Sequence, residues 1–240
     1  MNPGASQTRG WHDVGAYLGR DWLGESIQPL SDPWYRFGRI LRELDDTFEI
    51  KRGSNWLDLG CHQGQFVRIV TEKYGVVATG VDDWEPTLKS DSLWAYFQRD
   101  LSRAFQIDGS FDYLSALEVL EHIIDTDVFL QRCYTQLKSG GHFVLSTPNI
   151  NSLRNRLTVP FGAYPAGLEH RNVIHHVRLY NVERLRGQLE EHGFRVRWVR
   201  GVSFFPQRLL VKGVSPDLDR AAANRAPQLC GNIIVLAQKP

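Results

Sequence analysis

The stretch Asn55–Phe66, with the sequence NWLDLGCHQGQF, constrains the fold of this chain more than any other segment. It reads as a short apolar strand, a turn that contains Gly60 and Gly64, and the first residues of a helix. Glycine lets the backbone turn sharply and approach a ligand closely, and the first turn of a helix offers unpaired N–H groups. A strand, a glycine-bearing turn and a helix in this order predict a nucleotide-binding pocket in an α/β fold.

Asp58 stands two residues before Gly60, and its charge indicates which ligand the turn would accept. A phosphate-binding loop would avoid a carboxylate at this point, whereas a ligand with a cationic amino-acid end would be attracted to it. Asp58 and the non-glycine residue His62 both disfavour a nicotinamide dinucleotide, whose fingerprint has a glycine in the middle of the turn. If the turn needs a positive φ at His62, that residue costs about 1 kcal/mol or more. An ordinary βα turn is the alternative interpretation.

Composition limits the class of protein. A chain of 240 residues with 42% hydrophobic content suits a single, well-filled α/β domain. Its 28 basic and 27 acidic residues give a net charge of +1, so no overall electrostatic footprint for nucleic acid is expected. Three cysteines do not make a disulfide framework and indicate a reducing compartment. With no apolar run near the roughly 20 residues of a membrane span and no signal-peptide core, we expect a cytoplasmic protein without membrane contact.

Apolar periodicity predicts alternating strands and helices along the middle of the chain. The predicted strands are Asn55–Leu59, Val76–Val81, Trp94–Arg99, Phe111–Leu117, His142–Thr147, Phe194–Arg200 and Asn232–Gln238. The predicted helices are Pro33–Phe48, Gln65–Tyr74, Glu85–Ser90, His122–Leu137 and Asn181–His192. This alternation predicts a doubly wound α/β sheet with helices on both faces. Residues 1–50 are expected to form a helical lid segment, and the domain at 51–240 to carry substrate-side insertions at about 148–180 and 201–230.

Further motifs follow the glycine turn in a fixed order. They are Asp82, Asp100, the segment Glu118–His122, the pair Gly140-Gly141 and the tripeptide Thr147-Pro148-Asn149. With the first motif, this set resembles class I S-adenosylmethionine-dependent methyltransferases, in the branch that contains ubiquinone-biosynthesis O-methyltransferases and sugar and natural-product methyltransferases. The resemblance implies S-adenosylmethionine as cofactor, methyl transfer as the reaction, and a Rossmann-like sheet of seven strands whose last strand is antiparallel.

Ligands of such a sheet bind at the carboxyl ends of its strands. Asp82, after the second strand, is expected to accept both ribose hydroxyls of the cofactor, with Asp83 beside it. Asp100 is expected to accept the exocyclic amine of the adenine, and Leu101 to pack on its ring. Capping of a helix is the alternative role for these acids. The residues predicted to bind the cofactor are Asp58, Gly60, His62, Gly64, Asp82, Asp83, Asp100, Leu101 and Leu117.

The candidate catalytic residues are Glu118, Glu121 and His122. If a helix begins near Glu118, their side chains share one face. That face would provide a general base, His122, oriented by a glutamate. It could also provide half of a divalent-metal site, because a similar segment binds metal in some relatives, including small-RNA 3′-end methyltransferases, where a downstream histidine completes the site. The predicted metal ligands are then Glu118, Glu121, His122 and His176. In the alternative interpretation a glutamate caps the helix and the histidine lines the pocket.

The segment 148–180 is rich in polar and basic residues, among which Asn149, His175 and Arg178 are predicted to contact the acceptor. Arginine pairs well with phosphate because its guanidinium is a planar fork. A polar or anionic acceptor, such as a nucleotide-linked sugar, is therefore one interpretation of this segment, and a solvated loop is the other.

Together these features predict methylation of a small-molecule or glycan acceptor by S-adenosylmethionine, with oxygen as the expected acceptor atom. Two alternatives stay open. One is a metal-dependent RNA ribose 2′-O-methyltransferase, which the balanced charge disfavours and which salt-sensitive RNA binding would support. The other is a catalytically inactive module that binds S-adenosylmethionine and regulates a partner. The acceptor and the oligomeric state do not follow from the sequence.

Overall fold

The computed structural model describes residues 34–83, 94–103, 105–166, 168, 176–206, 209 and 212–240. The strands are β1 (Asn55–Leu59), β2 (Val77–Asp82), β3 (Trp94–Gln98), β4 (Phe111–Leu117), β5 (Leu137–Pro148), β6 (Arg195–Gly201) and β7 (Asn232–Gln238). The α-helices are α1 (Trp34–Asp45), α2 (Gln65–Tyr74), α3 (Thr126–Gln136), α4 (Leu153–Thr158), α5 (Val182–Glu191) and α6 (Pro216–Arg225). The predicted helix at 85–90 and residues 1–33 of the predicted lid segment lie outside the described residues.

The strands form one seven-stranded sheet in the order β3-β2-β1-β4-β5-β7-β6. The pairs from β3 to β5 are parallel, whereas β7 runs antiparallel to both of its neighbours. Strand order reverses between β1 and β4, which is the position where an open α/β sheet binds its ligand. The prediction of a doubly wound, Rossmann-like sheet with an antiparallel last strand is confirmed.

Helices cover both faces of this sheet. Apolar side chains of α1 and α2, such as Phe66, pack in one core cluster with Trp56 of β1. Apolar side chains of α3 and α5, such as Phe129 and Leu185, pack in a second cluster with Leu57 of the same strand. Because successive side chains of a strand point to opposite faces, Trp56 and Leu57 mark the two sides of the sheet.

The helix predicted to begin at His122 begins instead at Thr126, so this part of the prediction is wrong. Glu118 has a positive φ of 57°, which no helix contains, and a single 3₁₀ turn over Leu120–His122 follows it. Asp125 then caps α3, because its side chain accepts the backbone N–H of Val128 at 3.1 Å. The candidate catalytic segment is therefore a tight turn between β4 and α3.

Strand β5 begins at Leu137, five residues before the predicted start at His142. Leu137 already pairs with Phe111 of β4, and the register of that pair shifts before Tyr113. The glycines at 140 and 141 lie within the early part of β5. Helix α3 ends at Gln136 because the chain joins the sheet there.

The two predicted insertions are attached to different parts of the fold. The segment after β5 returns to its starting point, where Asn149 forms a β-bridge with Tyr180. Helix α6 of the second segment is tied to α1, because Asp219 accepts the hydroxyl of Tyr35 at 2.5 Å. Among the described residues, no helix combines the length and the apolarity that a membrane crossing requires. The cysteines are free thiols.

Candidate active site

A cavity of about 870 Å³ opens at the carboxyl ends of β1, β2 and β4, where the strand order reverses. Many of the predicted site residues line it: Asp58, Gly60, His62, Asp82, Asp83, Asp100, Leu101, Leu117, Glu118 and His122. The turn after each strand brings these side chains together, although they are up to 64 positions apart in the chain. The cavity is the candidate active site.

The glycine turn between β1 and α2 forms one wall of this cavity. Gly60 has a φ of 73°, and a Cβ atom there would overlap the side chain of Val119. Gly64 has a φ of 79°, and a Cβ atom there would lie 2.5 Å from the ring of Trp94. His62 has a φ of 50°, so the turn does require the left-handed conformation at a residue with a side chain. That conformation costs about 1 kcal/mol or more.

Asp82 is held by the glycine turn. Its Oδ2 atom accepts the backbone N–H of His62 at 2.7 Å, and its Oδ1 atom accepts the N–H of Asp83 at 2.8 Å. Burial raises the pKa of the Asp82 carboxyl. The strained residue of the turn thus contributes a backbone donor that orients this carboxylate toward the cavity.

Asp58 lies at the back of the cavity and is only 3% exposed. The hydroxyl of Ser115 donates to its Oδ1 atom, and the indole N–H of Trp56 donates to the Ser115 hydroxyl at 2.8 Å. Burial raises the pKa of Asp58 to about 7, although the Ser115 hydrogen bond acts in the opposite direction. A cationic ligand group would stabilise the ionised carboxylate.

Asp100 and Leu101 lie at the rim, after β3. The backbone N–H and the hydroxyl of Ser102 both donate to Asp100 Oδ1, and Arg103 pairs with Oδ2 at 3.0 Å. These hydrogen bonds from Ser102 lower the pKa of Asp100. These contacts form a local turn and not a helix cap, because residues 101–103 contain no helix, and Asp100 remains on the cavity wall.

Glu118 lines the cavity and joins three parts of the fold. Its carboxylate accepts the hydroxyl of Ser146 at 2.8 Å and the side-chain amide of Asn232 at 2.6 Å. It also forms an ion pair with Arg36 of α1 at 3.1 Å. These contacts give Glu118 a connecting role between α1, β5 and β7.

Glu121, His122 and His176 lie together, with one potential ligand atom from each within 4.8 Å of the others. Glu121 is 2% exposed, and its Oε2 atom accepts the hydroxyl of Thr147 at 3.0 Å. Its Oε1 atom is buried and has no hydrogen-bond partner among the described residues. Burial and the nearby charge of Glu118 raise the pKa of Glu121 to about 8. The described residues that form this cluster do not include Glu118.

The predicted acceptor-side residues have separate positions. Asn149 is buried away from the cavity lining, and its side chain bonds the carbonyl groups of Gln228 and Cys230 at 3.0 and 2.8 Å. Arg178 is exposed, and its guanidinium donates to the carbonyl of the cavity residue Ile124 at 3.1 Å. His175 lies outside the described residues.

Two functional candidates were not predicted from the sequence. Arg36 of α1 lines the cavity, although it lies off the apolar stripe by which the helix was predicted. Ser115 has no sequence motif, and only its pairing partner in the sheet, Asp58, gives it a place in the site. Both depend on contacts between elements, which sequence periodicity does not describe.

The comparisons with known proteins agree with this geometry. A family model described as a methyltransferase domain matches residues 34–198. The mitochondrial ubiquinone biosynthesis O-methyltransferase of Bos taurus is 27% identical over 215 residues, which cover 82% of this chain and 56% of that protein. The ubiquinone biosynthesis O-methyltransferase of Coxiella burnetii is 24% identical over 174 residues, 69% of this chain and 74% of that protein. The chain thus spans about half the length of the mammalian relatives it matches, 45% to 56%.

Solved structures show the same fold at low identity. Phosphoethanolamine N-methyltransferase 2 of Haemonchus contortus, in complex with S-adenosyl-L-methionine, has a TM-score of 0.63 and 18% identity, over 100% of this chain and 61% of that one. A S-adenosylmethionine-dependent methyltransferase of Mesorhizobium loti has a TM-score of 0.60 and 20% identity, over 83% of this chain and 97% of that one.

Proposed function

The chain belongs to the methyltransferase domain family, and we propose that it transfers the methyl group of S-adenosylmethionine to a hydroxyl group of a small-molecule or glycan acceptor. The observation that carries this proposal is one cavity that joins acidic residues suited to the cofactor with a histidine suited to the acceptor. The acidic residues lie on β1, on β2 and in the turn after β3. The histidine, His122, lies after β4.

The cofactor has three chemically distinct parts, and the cavity offers a partner for each. Asp82 faces the ribose hydroxyls with a carboxylate fixed by two backbone donors. Leu101 is assigned to pack on the adenine ring. Asp100 is assigned to accept a hydrogen bond from the exocyclic amine of that ring. The amino-acid end carries both charges, so it needs an anion and a cation. Asp58 takes the ammonium group, and the guanidinium of Arg36 takes the carboxylate.

Methyl transfer is an in-line displacement. The acceptor oxygen forms a bond to the methyl carbon, the carbon–sulfur bond breaks, and its electron pair remains on sulfur as S-adenosylhomocysteine. The hydroxyl proton must leave the acceptor in the same process. His122 is exposed on the cavity wall and is assigned the role of accepting that proton, and the adjacent buried Glu121 is assigned the role of orienting it. Holding the two reactants in line contributes much of the rate gain.

A divalent metal fits this part of the site. The buried Oε1 atom of Glu121 has no partner among the described residues, and the nearby His122 and His176 supply nitrogen donors. A carboxylate and two imidazoles are common ligands of Zn²⁺, Mn²⁺ and Fe²⁺. Glu121, His122 and His176 would hold the ion, and a bound ion would lower the pKa of an acceptor hydroxyl. In this version His122 is a ligand and not the base.

The same three donors favour a second candidate function, metal-dependent 2′-O-methylation of RNA ribose. The charge of the chain does not support it, because 28 basic against 27 acidic residues give little attraction to a polyanion. The two functions differ in the size and charge of the acceptor, and they use the same cofactor site.

Methyl transfer from labelled S-adenosylmethionine to separate acceptor pools tests the proposal. The pools are phenols and quinols, nucleotide sugars and glycans, and short RNA, each with and without a chelator. The proposal expects label in one of the first two pools. Label in RNA alone would favour the second candidate, and binding of the cofactor without transfer to any pool would favour a regulatory module.

A further inference from the structure

A chain of two hydrogen bonds lies behind the cavity wall, from Trp56 through Ser115 to Asp58. The indole N–H of Trp56 donates to the hydroxyl of Ser115 at 2.8 Å, and that hydroxyl donates to Asp58 Oδ1. The three residues are 1%, 0% and 3% exposed. Solvent therefore does not compete for these hydrogen bonds, and an unpaired group here would be costly.

The register of the sheet creates this arrangement. Asp58 of β1 lies directly opposite Ser115 of β4, and Trp56 lies opposite Tyr113. Trp56 and Asp58 are two positions apart in one strand, so both point to the same face as Ser115. The ring of Trp56 packs against Phe66 and Tyr113, with centroid distances of 6.1 and 5.2 Å. The indole donor is thus held in place by the core.

The chemistry of the three groups fixes which group donates in each of the two hydrogen bonds. An indole nitrogen donates and does not accept, so the Ser115 oxygen is the acceptor of the first bond. The hydroxyl proton is then directed to Asp58, and a carboxylate that receives it acts as an acceptor. One oxygen of Asp58 is occupied in this way, and Asp58 lines the cavity, where we expect its other oxygen to accept the ligand.

We propose that Trp56 and Ser115 are positioning residues that hold the Asp58 carboxylate ionised and oriented to accept the ammonium group of the cofactor. This inference rests on the proposed function, which assigns the ammonium group to Asp58. It adds two residues behind the cavity wall, which do not touch the cofactor themselves.

Electrostatic effects on Asp58 support the role. Burial raises its pKa to about 7, the Ser115 hydrogen bond lowers it, and the charge of Asp82 on β2 raises it again. The thiol of Cys61, in the glycine turn, also interacts with Asp58 and has its own pKa raised by burial. Loss of the Ser115 hydroxyl would therefore leave Asp58 largely protonated at neutral pH. A protonated carboxyl group binds an ammonium group poorly.

Calorimetric titration of S-adenosylhomocysteine between pH 5.5 and 9, into the intact chain and its variants, tests this role. In the wild-type protein, affinity should rise about tenfold per pH unit below about 7 and level off above it. In Ser115→Ala the bend should move up by about one pH unit, with roughly fivefold weaker binding at pH 7, roughly tenfold weaker binding below pH 6, and recovery at pH 9. Trp56→Phe keeps the ring and should give a smaller shift in the same direction.

Thr71→Val is the matched control, because it removes another buried hydroxyl, one that bonds Val67 within α2 at 2.9 Å. Its pH profile should follow that of the wild type. An equal loss of affinity at every pH in Ser115→Ala would mean a general structural lesion and would overturn the positioning role.

Titration of the Asp58 carboxyl by ¹³C NMR, without ligand, separates this inference from the proposed function. An Asp58 titration that is unchanged in Ser115→Ala overturns the positioning role, whatever the cofactor. A wild-type protein that does not bind S-adenosylhomocysteine overturns the proposed function, and with it the ligand assigned to Asp58. A titration midpoint that moves up in Ser115→Ala supports the role of the hydrogen-bonded chain.

Discussion

The guanidinium group of Arg36 forms an ion pair with the carboxylate of Glu118 at 3.1 Å, and both residues line the cavity. Their side chains are 10% and 19% exposed, so solvent screens the pair only weakly. The pair joins helix α1 to the turn after β4, whose Glu118 also bonds Ser146 of β5 and Asn232 of β7. Helix α1 is therefore part of the cavity wall.

Replacement of Arg36 should affect both stability and cofactor binding. Arg36→Gln leaves Glu118 without its cation in a mostly buried place, and we expect a loss of about 2–4 kcal/mol in the free energy of unfolding. S-adenosylhomocysteine should bind at least roughly tenfold more weakly, because the carboxylate of the ligand loses its partner. Urea unfolding and calorimetry measure the two effects.

The matched control is Arg42→Gln on the same helix. Arg42 pairs with Asp217 at 3.0 Å, and their side chains are 30% and 70% exposed. This change should cost only about 0–1 kcal/mol and leave ligand affinity unaltered. Equal effects of the two variants would contradict a specific role of Arg36 in the cavity.

Acid should loosen the junction between α1 and α6. Burial alone would raise the pKa of Glu43, but hydrogen bonds from Arg220 and Asn224 and the charge of Arg39 bring it down to about 2. A depressed carboxylate pKa stabilises the fold above the unfolded-state value near 4.5, and this contribution is lost as the pH falls toward 2. The contribution is on the order of 3 kcal/mol.

Urea unfolding from pH 6 to pH 2.5 measures this contribution. The wild-type protein should lose stability over this range more steeply than Glu43→Gln, which cannot titrate there. Curves of equal slope for the two proteins would show that Glu43 keeps an ordinary pKa in the fold.

The glycine turn should respond in opposite directions to two substitutions. Gly60→Ala adds a Cβ atom that overlaps Val119 at a φ of 73°, so we expect a loss of roughly 1–3 kcal/mol. His62→Gly relieves the left-handed strain at a φ of 50° and keeps the N–H that bonds Asp82, so stability should stay the same or rise by up to about 1 kcal/mol. Thermal unfolding compares the two, and a clear destabilisation by His62→Gly would show that its side chain supports the turn.

The histidine and glutamate cluster should bind a divalent metal. Titration with Mn²⁺, followed by the disappearance of the free-ion electron paramagnetic resonance signal, should show one bound ion per chain in the wild type. Glu121→Gln and His176→Ala should each weaken the binding at least about tenfold, because each removes a donor from the cluster.

His192→Ala is the control for the metal experiment. This histidine lies at the end of α5, where it pairs with Asp127 at 3.6 Å and is outside the cluster. It should bind the ion as the wild type does. If the wild type bound no ion and still transferred methyl groups in the presence of a chelator, the proposed metal site would be rejected. His122 would then be the base.

Much of the fold follows from local sequence signals. Strands β1, β4 and β7 and helix α2 have the predicted bounds, because each combines a clear apolar period with a turn residue at its end. The start of α3 does not follow, since Glu118 adopts a positive φ for which its residue type gives no signal, and the capping residue Asp125 lies three residues beyond the predicted start.

The site residues likewise include some that the sequence predicts and some that it does not. Asp58, Asp82 and Asp100 line the cavity as expected, because parallel strands bring their carboxyl ends to one edge. Sequence motifs do not predict Arg36 and Ser115. Their roles arise from the packing of α1 and from the register between β1 and β4. Tertiary contacts, which periodicity does not describe, decide these positions.

Calorimetric titration of S-adenosylhomocysteine into the wild-type protein and into Asp82→Asn tests the central claim most directly. The account predicts a micromolar dissociation constant for the wild type, as a preformed cavity with several charged contacts would give. Asp82→Asn should bind at least roughly tenfold more weakly, because a neutral amide replaces the carboxylate that accepts the ribose hydroxyls. No binding by the wild type, or equal binding by both proteins, would contradict the assignment of this cavity to the methyl donor.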